Sequence, residues 1–260
     1  MFIDAFAGTG YREEEDRPQG SAEPIFPELA AEEPQTFRDG SARIALQTLP
    51  PFQKLIFIEA SRRRSAELDA LRREFPALSS AIEVRHGDAN TELQAICQTT
   101  NWKTNRAVVF LDPFGMQVDW QTITAIATTK AIDVWILFPV GIGVQRMLTQ
   151  SLEEMPVLWR QRLTRVFGTD KWEGVFYRED STMSLFAGST QRKKVRVATT
   201  EAVGQYYHER LKSVFAQVAE NPCYLVNSTN SPLYQLHFAV GNIRGAPIAM
   251  RIAQHILAHT

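Results

Sequence analysis

Short apolar runs alternate along the chain with longer stretches in which apolar residues recur at helical spacing. Phe2–Ala7 is the first run, and it ends in the turn Gly8-Thr9-Gly10. It predicts a buried strand handing over to a tight loop. Residues 11–39 break the pattern. They hold Glu13-Glu14-Glu15-Asp16, four prolines and few periodic apolar positions, and read as a long polar loop. From Gly40-Ser41 an amphipathic helix runs through Ile44, Leu46 and Leu49 and stops at Pro50-Pro51. Residues 54–59 form a strand that is apolar at nearly every position, as a parallel strand covered on both faces should be. A helix over 61–75 follows, with Leu68, Leu71 and Phe75 on one side. Residues 82–84 predict a third strand, 91–99 a helix, 107–111 a fourth strand, 120–128 a helix, and 133–138 a fifth strand ending at Pro139.

Strand and helix thus alternate five times, which predicts an α/β fold with a doubly wound, mostly parallel sheet. The tail differs. A helix is expected over 201–219, then two strands, 223–227 and 234–240, joined like a hairpin, then a helix over 248–258. Residues 144–198, with Trp159, Phe167, Trp172, Phe176 and Tyr177, read as a helical insertion followed by a basic loop. The expectation is one domain, 1–260, with a seven-stranded Rossmann-like sheet that carries a late antiparallel strand. That strand separates the methyltransferase type of sheet from the dinucleotide-binding type.

In an open parallel sheet, ligands bind beyond the carboxyl ends of the strands. Here those ends carry Gly8 and Gly10, Glu59, Asp88 and Asp112. Asp4, Phe6 and the glycine turn together resemble the first motif of S-adenosylmethionine-dependent methyltransferases, especially those acting on nucleic acid bases. A carboxylate at Glu59 can accept from ribose hydroxyls, and one at Asp88 from the adenine amino group. Asp4 would orient the glycine loop or, through water, the amino acid portion of the cofactor. A dinucleotide site would want a third glycine at position 13. Glu13 stands there, and its carboxylate repels a pyrophosphate. S-adenosylmethionine has no phosphate and carries a sulfonium charge, so acids around the loop suit it. Each acid taken alone reads equally as a solvated loop residue or a helix cap, Asp88 above all.

Asp112-Pro113-Phe114 resembles the fourth motif of amino methyltransferases. There a polar side chain and a proline carbonyl hold the target amine, and an aromatic ring stacks on its base. Placement of that kind supplies most of the acceleration of an in-line displacement. This chain departs from the motif by having one proline only, with Gly115 after the aromatic. The plainer reading is a strand-end turn. A cytosine-C5 mechanism needs a cysteine just after the fourth strand; Cys223 lies far downstream, and Cys97 sits in a predicted helix as core filler.

Composition narrows the picture further. The formal net charge of -1 leaves no global field to attract nucleic acid. Any phosphate contact would be local, and Arg192, Lys193, Lys194 and Arg196 form the best candidate patch. Arg62-Arg63-Arg64 reads as a solvated helix face, His86 as an exposed strand-end residue. His208, His237, His255 and His259 show no metal spacing, and no metal is expected. Two cysteines make no disulfide framework and fit a reduced, cytoplasmic setting. No apolar run is long enough for a membrane span; no signal peptide is expected, and the sequence starts directly in its expected first strand, either because the domain starts abruptly or because a preceding segment is missing from it.

Phe2–Gly10, Gly40–Leu46, Phe57-Ile58-Glu59, Gly87-Asp88, Phe110–Gly115 and Phe238-Ala239-Val240-Gly241-Asn242, with Gly245 and Met250, together resemble the three-Cys-motif partner family. The resemblance implies a methyltransferase-like fold and, as a functional partner, a neighbouring radical-SAM-like protein with three cysteines. Members usually carry a helical lead-in before the first strand, which this chain lacks.

Three functions compete. The first is transfer of a methyl group from S-adenosylmethionine to an amine, with a nucleic acid base as one candidate acceptor, turned out of its stack. The second is a catalytically silent partner protein of the same fold, with the aromatic-rich segment 144–198 as its interface. The third is a magnesium-dependent nucleic acid processing enzyme with Asp88 and Asp112 as ligands.

Overall fold

In the computed structural model, which describes residues 1–9, 40–179 and 193–259, the chain divides into two units. The first comprises Met1–Asp112 with Ala131–Val134, the second Pro113–Lys130 with Trp135–Thr260. Gly10, Arg192, the expected polar loop 11–39 and most of the expected basic loop lie outside the described residues.

The first unit is built on β1 (Phe2–Asp4), β2 (Leu55–Glu59), β3 (Ile82–His86), β4 (Ala107–Leu111) and the opening residues of β5 (Ile132–Phe138), in the order β3-β2-β1-β4-β5. The pairings β1–β2, β1–β4 and β2–β3 are all parallel. β2 is buried at every position, which is why it is apolar throughout. Three helices cover this sheet: α1 (Ser41–Gln47), α2 (Arg62–Glu74) and α3 (Ala89–Thr99). Ala42, Ala45 and Leu46 of α1 and Leu68 and Leu71 of α2 form one apolar cluster with Leu55, Phe57 and Ile82. Burying each large side chain in it stabilises the fold by roughly 1.5–3 kcal/mol.

The second unit contains α4 (Trp120–Thr128), the rest of β5, a π-type turn (Val140–Gln145), α5 (Val157–Phe167), α6 (Trp172–Phe176), β6 (Tyr177–Glu179), β7 (Lys194–Arg196), α7 (Thr200–Lys212), β8 (Gln217–Val218), β9 (Cys223–Val226), β10 (Pro232–Val240) and α8 (Ala246–His259). β10 lies between β5 and β8 and runs antiparallel to both β8 and β9. The fold is therefore α/β with a mostly parallel, mixed sheet.

Three expectations change. The first strand ends at Asp4, and Ala5–Thr9 is already turn. The helix expected over 201–219 stops at Lys212, and Gln217-Val218 becomes the edge strand β8, tied down by Ala219 N–H donating to Phe238 O at 2.9 Å. Among the described residues that makes eight strands in the larger sheet where the sequence pattern predicts seven. Two residues are too few to show a period, so helical spacing carried the prediction past the break. In the described part of the segment 144–198, much of the aromatic content is interior. Phe167, Trp172, Phe176 and Tyr177 are buried in the second unit, and Phe167 and Phe176 meet edge-on at 5.6 Å. Its basic end forms β7, paired antiparallel with β6.

Phe138 of β5 stacks on Tyr207 of α7 at 3.9 Å, and His237 of β10 packs edge-on against both. Burial holds the His237 imidazole neutral, its pKa pushed down to about 3, and His208 at 5.7 Å acts in the same direction. A histidine with a lowered folded-state pKa binds its proton first in the unfolded chain. It therefore subtracts stability as pH falls from about 6.5 towards 3. Asp4, raised to about 6, works the opposite way over its own range, so the two are best separated by a variant. Between pH 7 and pH 5, urea unfolding should shift the stability of the unmodified protein relative to His237→Leu by roughly 2 kcal/mol, against the unmodified protein.

Candidate active site

The carboxyl ends of β1, β2, β3 and β4 meet in the first unit around two buried acids, Asp4 and Glu59. After Asp4 the chain leaves the strand direction at once. Ala5 N–H still donates to Phe110 O at 3.2 Å and Ala7 N–H to Ile58 O at 3.1 Å, so the turn is pinned to the ends of both neighbouring strands. Gly8 sits at φ +61°, the left-handed region that favours glycine, with open space around the position a Cβ would take. Backbone conformation, and not crowding, requires glycine here.

Glu59 ties this turn to its surroundings. Its Oε2 accepts from Gly8 N–H at 3.1 Å, and its Oε1 accepts from Ser61 N–H at 2.8 Å and from the Arg64 guanidinium at 2.9 Å. Gly87 N–H donates to the Glu59 backbone carbonyl at 3.1 Å, bringing the end of β3 to the same point. Asp4 is also held on both oxygens. Oδ1 accepts from Phe6 N–H at 3.1 Å, and Oδ2 from the Ser41 hydroxyl at 2.5 Å, at the start of α1. Burial pushes the Asp4 carboxyl up to about 6. The Ser41 and Phe6 hydrogen bonds oppose that shift, and the negative charges of Asp112 and Glu59 reinforce it. A buried carboxylate that feels two others favours a cation beside it.

The structure thus brings together Asp4, Phe6, Gly8 and Glu59, with the charge of Asp112 felt at Asp4. Asp88 plays the role that its position before a helix allowed. It is exposed and caps α3, its Oδ1 accepting from the Thr91 N–H and hydroxyl at 3.0 Å each. Asp112 follows β4 and is exposed. In the second unit Pro113 is buried and Phe114 is 84% exposed. Gly115 turns the chain at φ +74°, and Arg162 of α5 braces the turn by donating to Met116 O at 3.0 Å. Pro113, Gly115 and Met116 line a small apolar cleft with Ile136, Phe138 and Tyr207.

Ser41 and Arg64 escaped the sequence reading. Ser41 is a helix-opening serine whose hydroxyl turns to the acid rather than to its own helix. Arg64 lies within a triple-arginine run read as solvated. Only its third member folds back on Glu59, while Arg63 pairs with Glu67 at 3.1 Å. His86 ends β3 exposed. The described part of the basic patch is already engaged: Lys193 pairs with Glu154 at 3.2 Å, and Arg196 donates to the carbonyls of Leu148 and Ala198 at 2.8 and 3.2 Å. Lys194 lies in β7, its N–H donating to Glu153. Among the described residues no group of three or more His, Cys, Asp or Glu is arranged to hold a metal ion. Nor is any described helix long and apolar enough to cross a membrane.

Comparison with known proteins places the fold alone. No protein-family model matches the chain, and no curated protein matches it. The crystal structure of protein LPL1258 from Legionella pneumophila strain Philadelphia 1, of the DUF519 family, is similar over 98% of this chain and 82% of its own, at 12% identity and a TM-score of 0.50. A conserved hypothetical protein of Streptococcus pyogenes aligns over 58% of this chain and 73% of its own, at 15% identity and a TM-score of 0.34.

The node at Glu59 makes a direct prediction. Glu59→Ala leaves two backbone N–H groups and the Arg64 guanidinium without their acceptor and should destabilise the protein by about 3 kcal/mol. Asp88→Ala removes one helix cap and should cost about 1 kcal/mol. Urea unfolding of the two variants measures the difference. What similarity establishes about this chain is an α/β fold shared with the Legionella protein.

Proposed function

We propose that the first unit binds S-adenosylmethionine and that the protein transfers its methyl group to an amine, with a nucleic acid base as the favoured acceptor. The observation that carries this reading is the Asp4 carboxyl, buried at the glycine turn with its pKa raised to about 6 between hydrogen bonds that favour its charge and two carboxylates that oppose it. A sulfonium brought to this point relieves the repulsion; a phosphate would add to it. The turn at Gly8 leaves open space for the methionine portion. Glu59, already accepting three hydrogen bonds, has one acceptor position left for a ribose hydroxyl unless Arg64 gives way. Asp88, on its exposed cap, would take the adenine amino group.

The strand order supports the same reading. The order β3-β2-β1-β4-β5 in the first unit and the antiparallel pairing of β10 with β8 in the second are compatible with the sheet expected of a methyltransferase. The cofactor supplies an activated methyl group, and the protein's task is placement. Asp112 and the Pro113 carbonyl would accept from the amine and aim its lone pair, and the exposed Phe114 ring offers a face on which a base can stack. The resemblance to the three-Cys-motif partner family points the same way, and it adds a second reading in which the cofactor is bound and no transfer follows.

Calorimetry at pH 7.5 should detect binding of S-adenosylmethionine. Its affinity should weaken by up to tenfold per pH unit below about 6, as Asp4 takes up a proton. The uncharged product S-adenosylhomocysteine should lack this dependence, and Asp4→Asn should abolish it. No binding at millimolar cofactor would defeat the proposal. With binding in hand, Asp112→Ala should eliminate labelled methyl transfer to total RNA, DNA or protein while sparing affinity; binding without transfer to any acceptor would select the silent partner.

A further inference from the structure

The last helix carries more apolar surface than its packing uses. Ala246, Met250, Ala253 and Leu257 of α8 are buried in a cluster with Phe238, Val240 and Ala219. Away from that face, Ile248, Ile252 and Ile256 remain 65%, 55% and 42% exposed, and Ile243, just before the helix, is 64% exposed. The spacing i, i+4, i+8 lines the three helical isoleucines into one straight, narrow ridge. Helix propensity does not explain them, since β-branched residues are worse helix formers than the alanine or lysine a solvated face would use. Contiguous exposed apolar surface of this kind marks an interaction site.

The charge around the ridge identifies what suits it. Residues 221–260 contain no aspartate or glutamate at all, while Arg244 and Arg251 flank the isoleucines and His255 and His259 share the exposed side of the helix. The chain as a whole is balanced, with 28 basic and 29 acidic residues, so this is a local excess of positive charge. A second copy of α8 packed antiparallel across Ile252 would set Arg251 against its own image, which disfavours self-association. A lipid surface is a poor match too. Interfacial helices bring aromatic residues or leucines over a broad face with many lysines, and this ridge is three residues long with two arginines beside it. A narrow ridge is the shape that packs into the groove of another helix.

We infer that the Ile248–Ile252–Ile256 ridge of α8 docks an amphipathic helix of a partner protein whose apolar stripe is flanked by aspartate or glutamate. The apolar contact holds the two helices together, and the carboxylates facing Arg244 and Arg251 select the partner and fix its direction. This surface does not depend on the cofactor reading of the first unit.

A fluorescently labelled helical peptide with leucines at the a and d heptad positions and glutamates at e and g serves as the probe, with the same peptide carrying lysines at e and g as its control. Anisotropy titration of the full chain should give micromolar binding of the glutamate peptide and at least tenfold weaker binding of the lysine peptide. Ile248→Lys combined with Ile252→Lys should weaken the glutamate peptide by tenfold or more, and Arg251→Glu should reverse the preference between the peptides. Because these positions are exposed, melting temperatures should stay within a few degrees of the unmodified protein. The inference is overturned if the glutamate peptide fails to bind, if both peptides bind alike, or if the isoleucine substitutions leave binding intact. Cosedimentation with phosphatidylserine vesicles that Ile252→Lys abolishes, or a dimer in analytical ultracentrifugation that the same substitution dissociates, would overturn it in favour of those occupants.

Discussion

Glu59 is the buried charge on which the first unit's architecture turns. It stands at the end of a strand with no exposed position, where an unpaired carboxylate would be prohibitive. Backbone N–H groups from Gly8 and Ser61 and the Arg64 guanidinium meet that requirement. In doing so they fasten the glycine turn, the start of α2 and, through the Glu59 carbonyl and Gly87, the end of β3 to a single point. The turn is fixed to the end of β2 because its Gly8 amide is committed to the Glu59 side chain.

A second acid stands beside this node under opposite conditions. Among the described residues Asp4 has two hydrogen bonds, and the charges that act on it, those of Asp112 and Glu59, are of its own sign. Burying such a group opposes folding at neutral pH, and evenly apolar substitution would be more stable. Buried negative charge next to a glycine turn has a chemical use, the holding of a positively charged ligand, and our functional proposal follows from that imbalance.

The second unit solves a different problem. Several of its aromatic residues pack in its interior, where Phe138, Phe167, Phe176 and Tyr207 interlock at centroid distances of 3.9–6.4 Å, while Phe114 stays exposed. Apolar surface remains exposed at Phe114 and, in α8, along one ridge beside two arginines.

Most of the α/β order was legible in the chain because long periodic runs report burial directly: β2 is apolar throughout since both its faces are covered, and α2 shows Leu68 and Leu71 one turn apart. The meeting of Gly8 with Glu59 was also readable, since both stand at strand ends that a parallel sheet must align. Other features had no local signal. Whether Asp88 would face a ligand or cap its helix depended on the Thr91 hydroxyl and amide, and Arg64 could be told from Arg62 and Arg63 only once α2 had a rotational setting against β2. The edge strand β8 exists because β10 offers unpaired backbone groups, not because Gln217-Val218 asks for a strand. Periodicity is a property of consecutive residues and so survives in the sequence; the partner of a polar side chain is a property of distant residues brought close, and folding alone decides it.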